Sequence, residues 1–112
     1  MRKKLKAAYE QEMAYAKSLY KHKQFKDCFY HLERAHILGQ KFTLPHIISH
    51  WWMLKVGIKT KSVSEVIGQG IRILAALIFS RIWVPYGNTG GTNISAFKSL
   101  PISEDLQKYL DN

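Results

Sequence analysis

Cysteine and acidic residues are scarce in this chain of 112 residues. The single cysteine, Cys28, excludes a disulfide framework within the chain and is typical of proteins in a reducing compartment. Only 8 Asp and Glu residues stand against 17 Lys and Arg, so the net charge is +9. Such an excess raises the expectation of an anionic partner, but lysines scattered over turns and helix ends are more typical of a solvated basic surface. If a partner uses this surface, we expect an acidic protein and not a nucleic acid.

An apolar run long enough to span a membrane is also missing. The longest one, residues 71–84, contains Arg72 and Arg81 and is shorter than the ~20 residues that a bilayer requires. Near the start, Glu10 and Glu12 occupy the place where a signal peptide would need its apolar stretch. We therefore expect a cytoplasmic protein in which the apolar run is a buried helix. An interfacial membrane helix is the alternative.

Helical periodicity dominates the rest of the sequence. Apolar residues recur at helical spacing and predict helices over residues 3–20, 25–38, 43–58 and 63–83. Gly39 is expected to end the second helix as a left-handed cap, and Thr43 to cap the third. The segment Ser62-Val63-Ser64-Glu65 is typical of a capping box and opens the fourth helix, which Pro85 ends.

These helices predict an all-α fold in a single domain, residues 1–112. Residues 1–84 form an up-and-down bundle of about four helices, and residues 85–112 form an irregular C-terminal segment with a short last helix at 104–110. The first two helices resemble a tetratricopeptide-type hairpin. One hairpin is weak support for a repeat protein, because repeat proteins stack several such units to bury their core.

Two pairs of side chains have the spacing of metal ligands. The second predicted helix contains Glu33-x-x-His36, and the third contains His46-x-x-x-His50. Residues three or four apart lie on one face of a helix, so each pair can present two donor atoms to the same point. Imidazole and carboxylate groups are the usual ligands of zinc, iron and copper. If the third helix folds back on the second, His36 shares a level with His46, and Glu33 shares a level with His50.

Glu12 is a carboxylate inside the apolar stripe of the first helix. When the first helix folds onto the second, Glu12 reaches the level of Glu33 and becomes a further ligand or a group that supports one. His22 and His31 are left out of the site, because one lies in a turn and the other on the opposite face from Glu33. Two other interpretations stay open: a hydrogen-bonded polar network in the core, and coincidental positions on the surface.

A glycine-rich segment, Asn88-Thr89-Gly90-Gly91, could present backbone N–H groups to an anion. A purely structural turn is the alternative, because the spacing of a P-loop is missing and no predicted strand precedes the segment. No Ser-His-Asp or Cys-His arrangement is recognisable, so an enzyme that used a His as general base would lack an identified nucleophile. Whether the protein is an enzyme is left open by the sequence.

Five phrases of the sequence resemble one known family. They are HLERAHILGQ (31–40), TLPH (43–46), HWWML (50–54), GNTGG (87–91) and SAF (95–97). The chain is similar, over most of residues 8–110, to the bacterial domain-of-unknown-function 3703 family of small proteins. The resemblance implies a bacterial source and implies no activity.

The sequence therefore supports two functions from different classes. The first is a small metal-binding protein with a divalent zinc, iron or copper ion held by Glu33, His36, His46 and His50, with Glu12 beside them. The second is a non-enzymatic protein-interaction module that uses the basic surface.

Overall fold

The computed structural model of the protein describes residues 1–79 and 101–110. Regular structure in this part of the chain is helical, and its elements are α1 (Lys3–Lys21), α2 (Phe25–Gly39), α3 (Thr43–Lys59), α4 (Val63–Phe79) and α5 (Glu104–Leu110). The predicted all-α helical bundle is confirmed, together with the short last helix. The predicted end of the fourth helix near Trp83, and residues 85–100 of the predicted C-terminal segment, lie outside the described residues.

The helices pack in the order in which the chain visits them. The main contacts join α1 to α2, α2 to α3 and α3 to α4, and α5 lies against both α1 and α2. The apolar stripe of α1 faces α2 because its members are spaced three or four residues apart. The buried core comprises Leu5, Tyr9, Met13, Ala16, Cys28, Leu32, Ala35, Ile37, Leu38, Met53, Val56 and Leu106.

The link between α2 and α3 differs from the prediction at both of its ends. Gly39 is the last residue of α2, and Gln40 follows with right-handed backbone angles (φ −62°, ψ −24°), so the expected left-handed cap at Gly39 is wrong. Phe42 occupies the position before α3 and Thr43 is already helical, so the expected Thr43 cap is wrong as well. A Cβ on Gly39 would lie 2.9 Å from Pro45 Cβ and 3.1 Å from the Tyr9 ring. Glycine is therefore required here by the close approach of α3, and not by its backbone conformation.

The start of α4 contains half of the predicted capping box. The Glu65 backbone N–H donates to Ser62 Oγ at 3.4 Å, as expected for the first half. The reciprocal contact is not made, because the Ser62 N–H donates to Gly57 O at 2.9 Å. The Glu65 carboxylate accepts instead from Gln69 Nε2 at 3.0 Å. The carboxylate thus points along α4, toward the buried Gln69 side chain.

Within residues 1–79 and 101–110, none of the helices has the length and apolar character needed to cross a membrane.

Candidate metal centre

Three histidines from two helices meet inside the bundle. The ring centroid of His36 lies 4.8 Å from that of His46 and 4.6 Å from that of His50, and the His46 and His50 rings are 4.7 Å apart. Each residue offers one ring nitrogen such that these three atoms lie within 4.8 Å of one another. His36 and His50 are each 2% exposed, and His46 is half-buried.

The local sequence explains why these side chains converge. His46 and His50 lie one turn apart on α3 and therefore point from the same face toward α2. The tight contact between Gly39 and Pro45 holds the beginning of α3 against the end of α2, where His36 lies. The Tyr9 hydroxyl donates to Pro45 O at 2.8 Å, which adds α1 to the same junction. Sequence spacing together with this close approach thus sets the geometry of the cluster.

A chain of hydrogen bonds runs from His46 to α4. The Nε2 atoms of His46 and His50 are 3.0 Å apart. The Nδ1 atom of His50 lies 2.5 Å from Oε1 of Gln69, a side chain that is 0% exposed. Gln69 in turn donates from Nε2 to the Glu65 carboxylate at 3.0 Å. Gln69 was not predicted as a site residue, because neither its residue type nor its position on α4 signals a contact with α3.

Burial keeps the imidazoles of His46 and His50 neutral at physiological pH. It lowers the pKa of His46 from 6.5 to about 4. For His50, burial, the neighbouring His46 and the charge of Arg72 together lower the pKa to about 3, against a weaker opposing effect of the Gln69 hydrogen bond. Neutral imidazole is the form that coordinates a metal ion, because the lone pair of one ring nitrogen is free.

The distances between the donor nitrogens can be compared with those around a bound metal ion. A tetrahedral zinc ion with Zn–N distances of about 2.0–2.1 Å separates its ligand nitrogens by about 3.3 Å. The two Nε2 atoms at 3.0 Å are close to this value, and the donor atoms of all three histidines lie within 4.8 Å of one another. The residues present therefore fit a metal ion held by three imidazoles.

Neither of the two predicted carboxylates belongs to the group of three donor residues. Glu33 is half-buried on α2 and is not part of the group of three donors. Glu12 is 8% exposed, but its partners lie elsewhere: Oε1 is 2.7 Å from His31 Nδ1, and Oε2 is 3.1 Å from Arg34 Nε. Both oxygens of Glu12 are thus engaged between α1 and α2.

Arg34 connects this second polar cluster to α5. Its Nη2 atom lies 2.5 Å from Asp105 Oδ2. Burial would lower the pKa of Arg34, but the hydrogen bonds to Asp105 and Glu12 outweigh it and raise the pKa. The contact with Arg34 lowers the pKa of Asp105. The oddly placed Glu12 was the only sequence signal for this cluster. His31 was left out of the predicted metal site, and it is not one of the three histidines of that group.

The predicted anion-binding segment Asn88-Thr89-Gly90-Gly91 lies outside the described residues.

The family of the chain can be stated from its sequence match. Residues 3–110 match the family described as "Protein of unknown function (DUF3703)". The chain belongs to the DUF3703 family. The resemblance noted from the five phrases is thereby confirmed, and all three histidines of the cluster lie within the matched range of this DUF3703 protein. Neither a curated protein nor a solved structure matches the chain. The function of the DUF3703 chain must therefore be argued from its own side chains.

Proposed function

We propose that this protein binds a divalent transition metal ion through the imidazoles of His36, His46 and His50. The observation that carries the proposal is the convergence of three nitrogen donors within 4.8 Å in a buried part of the bundle. Two of these residues follow directly from the predicted His46-x-x-x-His50 pair, and the third comes from the neighbouring helix. Glu12 does not belong to the proposed donor set, because His31 and Arg34 hold its carboxylate.

The donor set limits which metals fit. Neutral imidazoles suit zinc, copper and iron, whereas calcium and magnesium prefer oxygen donors. Three nitrogen ligands leave a fourth position of a tetrahedral ion for water or another small ligand. The ion would keep its positive charge, since the three donors are neutral. Storage, sensing and catalysis are all compatible with such a centre.

The same residues can serve a second purpose without a metal. The contacts His46–His50, His50–Gln69 and Gln69–Glu65 form a continuous polar network in the interior. In that case the histidines stabilise the fold only, and the function would lie with the basic surface as an interaction module. Metal binding and a purely structural network predict different responses to added metal.

The test uses the untagged protein, because a His tag would bind metal itself. Elemental analysis after purification is combined with melting curves in the presence of zinc, copper, iron, cobalt or nickel, each with a chelator control. A metal at ~100 times its dissociation constant adds about 2.7 kcal/mol to the free energy of unfolding. For a chain of this length the melting temperature should rise by about 10 °C.

Single substitutions identify the ligands. His46→Ala and His50→Ala should each remove the metal-induced shift and leave a helical circular dichroism spectrum. His22→Ala is the matched control, because His22 is exposed and its Nδ1 contacts only Ser18 O within the described residues, at 2.8 Å. The proposal would be overturned if the wild-type protein carries no metal after purification and its melting temperature is unchanged by all five metals.

A further inference from the structure

We infer that Gln69, held in orientation by Glu65, acts as a positioning residue that fixes His50 in the tautomer with a free Nε2 lone pair for the metal. This inference rests on the proposed metal site. It assigns a role to α4, which contributes no residue to the three-histidine cluster.

The direction of the Gln69 amide is decided by Glu65. An ionised carboxylate can only accept hydrogen bonds, whereas a glutamine side chain has both a donor and an acceptor. The contact of 3.0 Å between Gln69 Nε2 and Glu65 Oε2 therefore uses the donor end of the amide. The acceptor end, Oε1, is left facing His50 Nδ1 at 2.5 Å. The reversed amide would place a carbonyl oxygen against the carboxylate.

The tautomer of His50 follows from this direction. A carbonyl oxygen can only accept, so His50 Nδ1 must carry a proton and donate it to Gln69. A neutral imidazole has one N–H, so Nε2 of His50 then carries a lone pair. The opposite tautomer would set two acceptors against each other where Gln69 is 0% and His50 2% exposed. An unpaired polar group in such a place is costly, because no water can replace the lost hydrogen bond.

The same reasoning assigns the proton of His46 in the metal-free protein. His50 Nε2 is an acceptor, so the contact of 3.0 Å between the two Nε2 atoms requires the proton on His46 Nε2. A metal ion held by both Nε2 atoms would replace this hydrogen bond, and His46 would then carry its proton on Nδ1 and not on Nε2. His50 needs no such change. Gln69 thus prepares one ligand in advance, and His46 is the ligand that rearranges.

The tautomer of His50 can be measured on metal-free protein. Long-range ¹H–¹⁵N correlation spectra of the imidazole side chains distinguish a protonated Nδ1 from a protonated Nε2. We expect a protonated Nδ1 for His50 in the wild-type protein. A protonated Nε2 would overturn the inference, whether or not the protein binds metal.

Two variants test the effect on metal affinity. Gln69→Met keeps the length of the side chain and removes the acceptor, and should weaken zinc binding by about 10–100-fold, as is usual when a partner of a ligating histidine is lost. The double variant Glu65→Gln with Gln69→Glu exchanges the two groups. The amide at position 65 then donates to the carboxylate at position 69, so this hydrogen bond is reversed, while position 69 still accepts from His50 Nδ1. The double variant should restore both the affinity and the protonated Nδ1 of His50. Gln11→Met, an exposed position on α1, is the matched control and should bind zinc as the wild type does.

The outcomes separate this inference from the proposed function. A wild-type protein that binds none of the metals overturns the proposed function, while the tautomer spectrum still decides the state of His50. Equal zinc affinity of the wild type and Gln69→Met overturns the positioning role and leaves the metal site standing. If Gln69→Met loses its helical spectrum, the double variant Glu65→Gln with Gln69→Glu provides the test. Zinc affinity equal to that of the wild type supports the inference, and an affinity more than 10-fold weaker overturns it.

Discussion

Burial shifts the protonation of single side chains in this core in the direction that removes charge. It raises the pKa of the Cys28 thiol from 9.0 to about 11 and that of the Tyr9 hydroxyl as well, and it lowers the pKa of His46 to about 4. The cause is common to acids and bases, since the charged form of each loses its hydration when the side chain is covered. At neutral pH all three groups are therefore uncharged.

Cys28 provides a pH prediction at this scale. Between pH 9 and about 11 the unfolded chain has lost the thiol proton while the folded chain retains it. The free energy of unfolding should therefore fall as the pH rises through this window, with a contribution from Cys28 that approaches about 1.4 kcal/mol per pH unit. Urea denaturation of the wild type and of Cys28→Ala between pH 8 and 11 measures this contribution. If the free energy of unfolding depends on pH in the same way in both proteins, the prediction is contradicted.

Single residues also show how far the sequence could predict the site. His36, His46 and His50 were predicted to lie together because helical spacing and an antiparallel register place His36 level with His46, with His50 one turn further along α3. Glu12 was recognised as unusual, but its partners were not. Which of several neighbours a carboxylate faces depends on the rotation of α1 against α2, and a change of one residue around a helix turns the side chain by about 100°.

Among the elements, the α2–α3 link shows tertiary contacts overriding local preference. Gly39 and Thr43 are typical cap residues, yet neither acts as one, and the space beside Gly39 is filled by Pro45 and the Tyr9 ring. Periodicity predicted the helices because it reflects burial along a whole face. Their ends depend on contacts between distant residues, such as that of Tyr9 with Gly39, which no local pattern contains.

A pair of glycine substitutions tests this explanation. Gly39→Ala should lower the free energy of unfolding by about 1–3 kcal/mol, because the new Cβ would lie 2.9 Å from Pro45 Cβ. Gly70→Ala is the matched control on α4, where a Cβ meets nothing within 4 Å. It should raise the free energy of unfolding by up to about 1 kcal/mol, since alanine favours the helix. Urea titrations measure the free energy of unfolding of both variants. An equal increase in the two would refute the packing role of Gly39.

For the whole molecule, one side chain joins three helices. Arg34 on α2 contacts Glu12 on α1 at 3.1 Å and Asp105 on α5 at 2.5 Å. A second contact, from Arg2 Nη2 to Tyr109 O at 2.6 Å, also holds α5. These long-range contacts could not be predicted, because they connect positions far apart in the sequence and follow from the order in which the helices pack.

The two ion pairs of Arg34 should differ in strength. Arg34→Met leaves the buried carboxylate of Glu12 without its guanidinium partner and should lower the free energy of unfolding by about 1–3 kcal/mol. Asp105→Asn should change it by less than about 1 kcal/mol, because the Asp105 side chain is 54% exposed and water replaces the contact. Chemical denaturation at low and high salt measures the free energy of unfolding of both variants. A larger loss for Asp105→Asn would show that the anchoring of α5, and not the pairing of Glu12, dominates.

The position of Gln69 has a consequence for the coupling between parts of the molecule. The three histidines belong to α2 and α3, but Gln69 belongs to α4, so a displacement of α4 removes the hydrogen bond to His50. Thermodynamic linkage makes such a dependence reciprocal. If moving α4 away weakens metal binding tenfold, the bound metal must hold α4 in place more firmly by the same factor, about 1.4 kcal/mol. The bound metal would then stabilise the packing of α4, a helix with which it makes no direct contact.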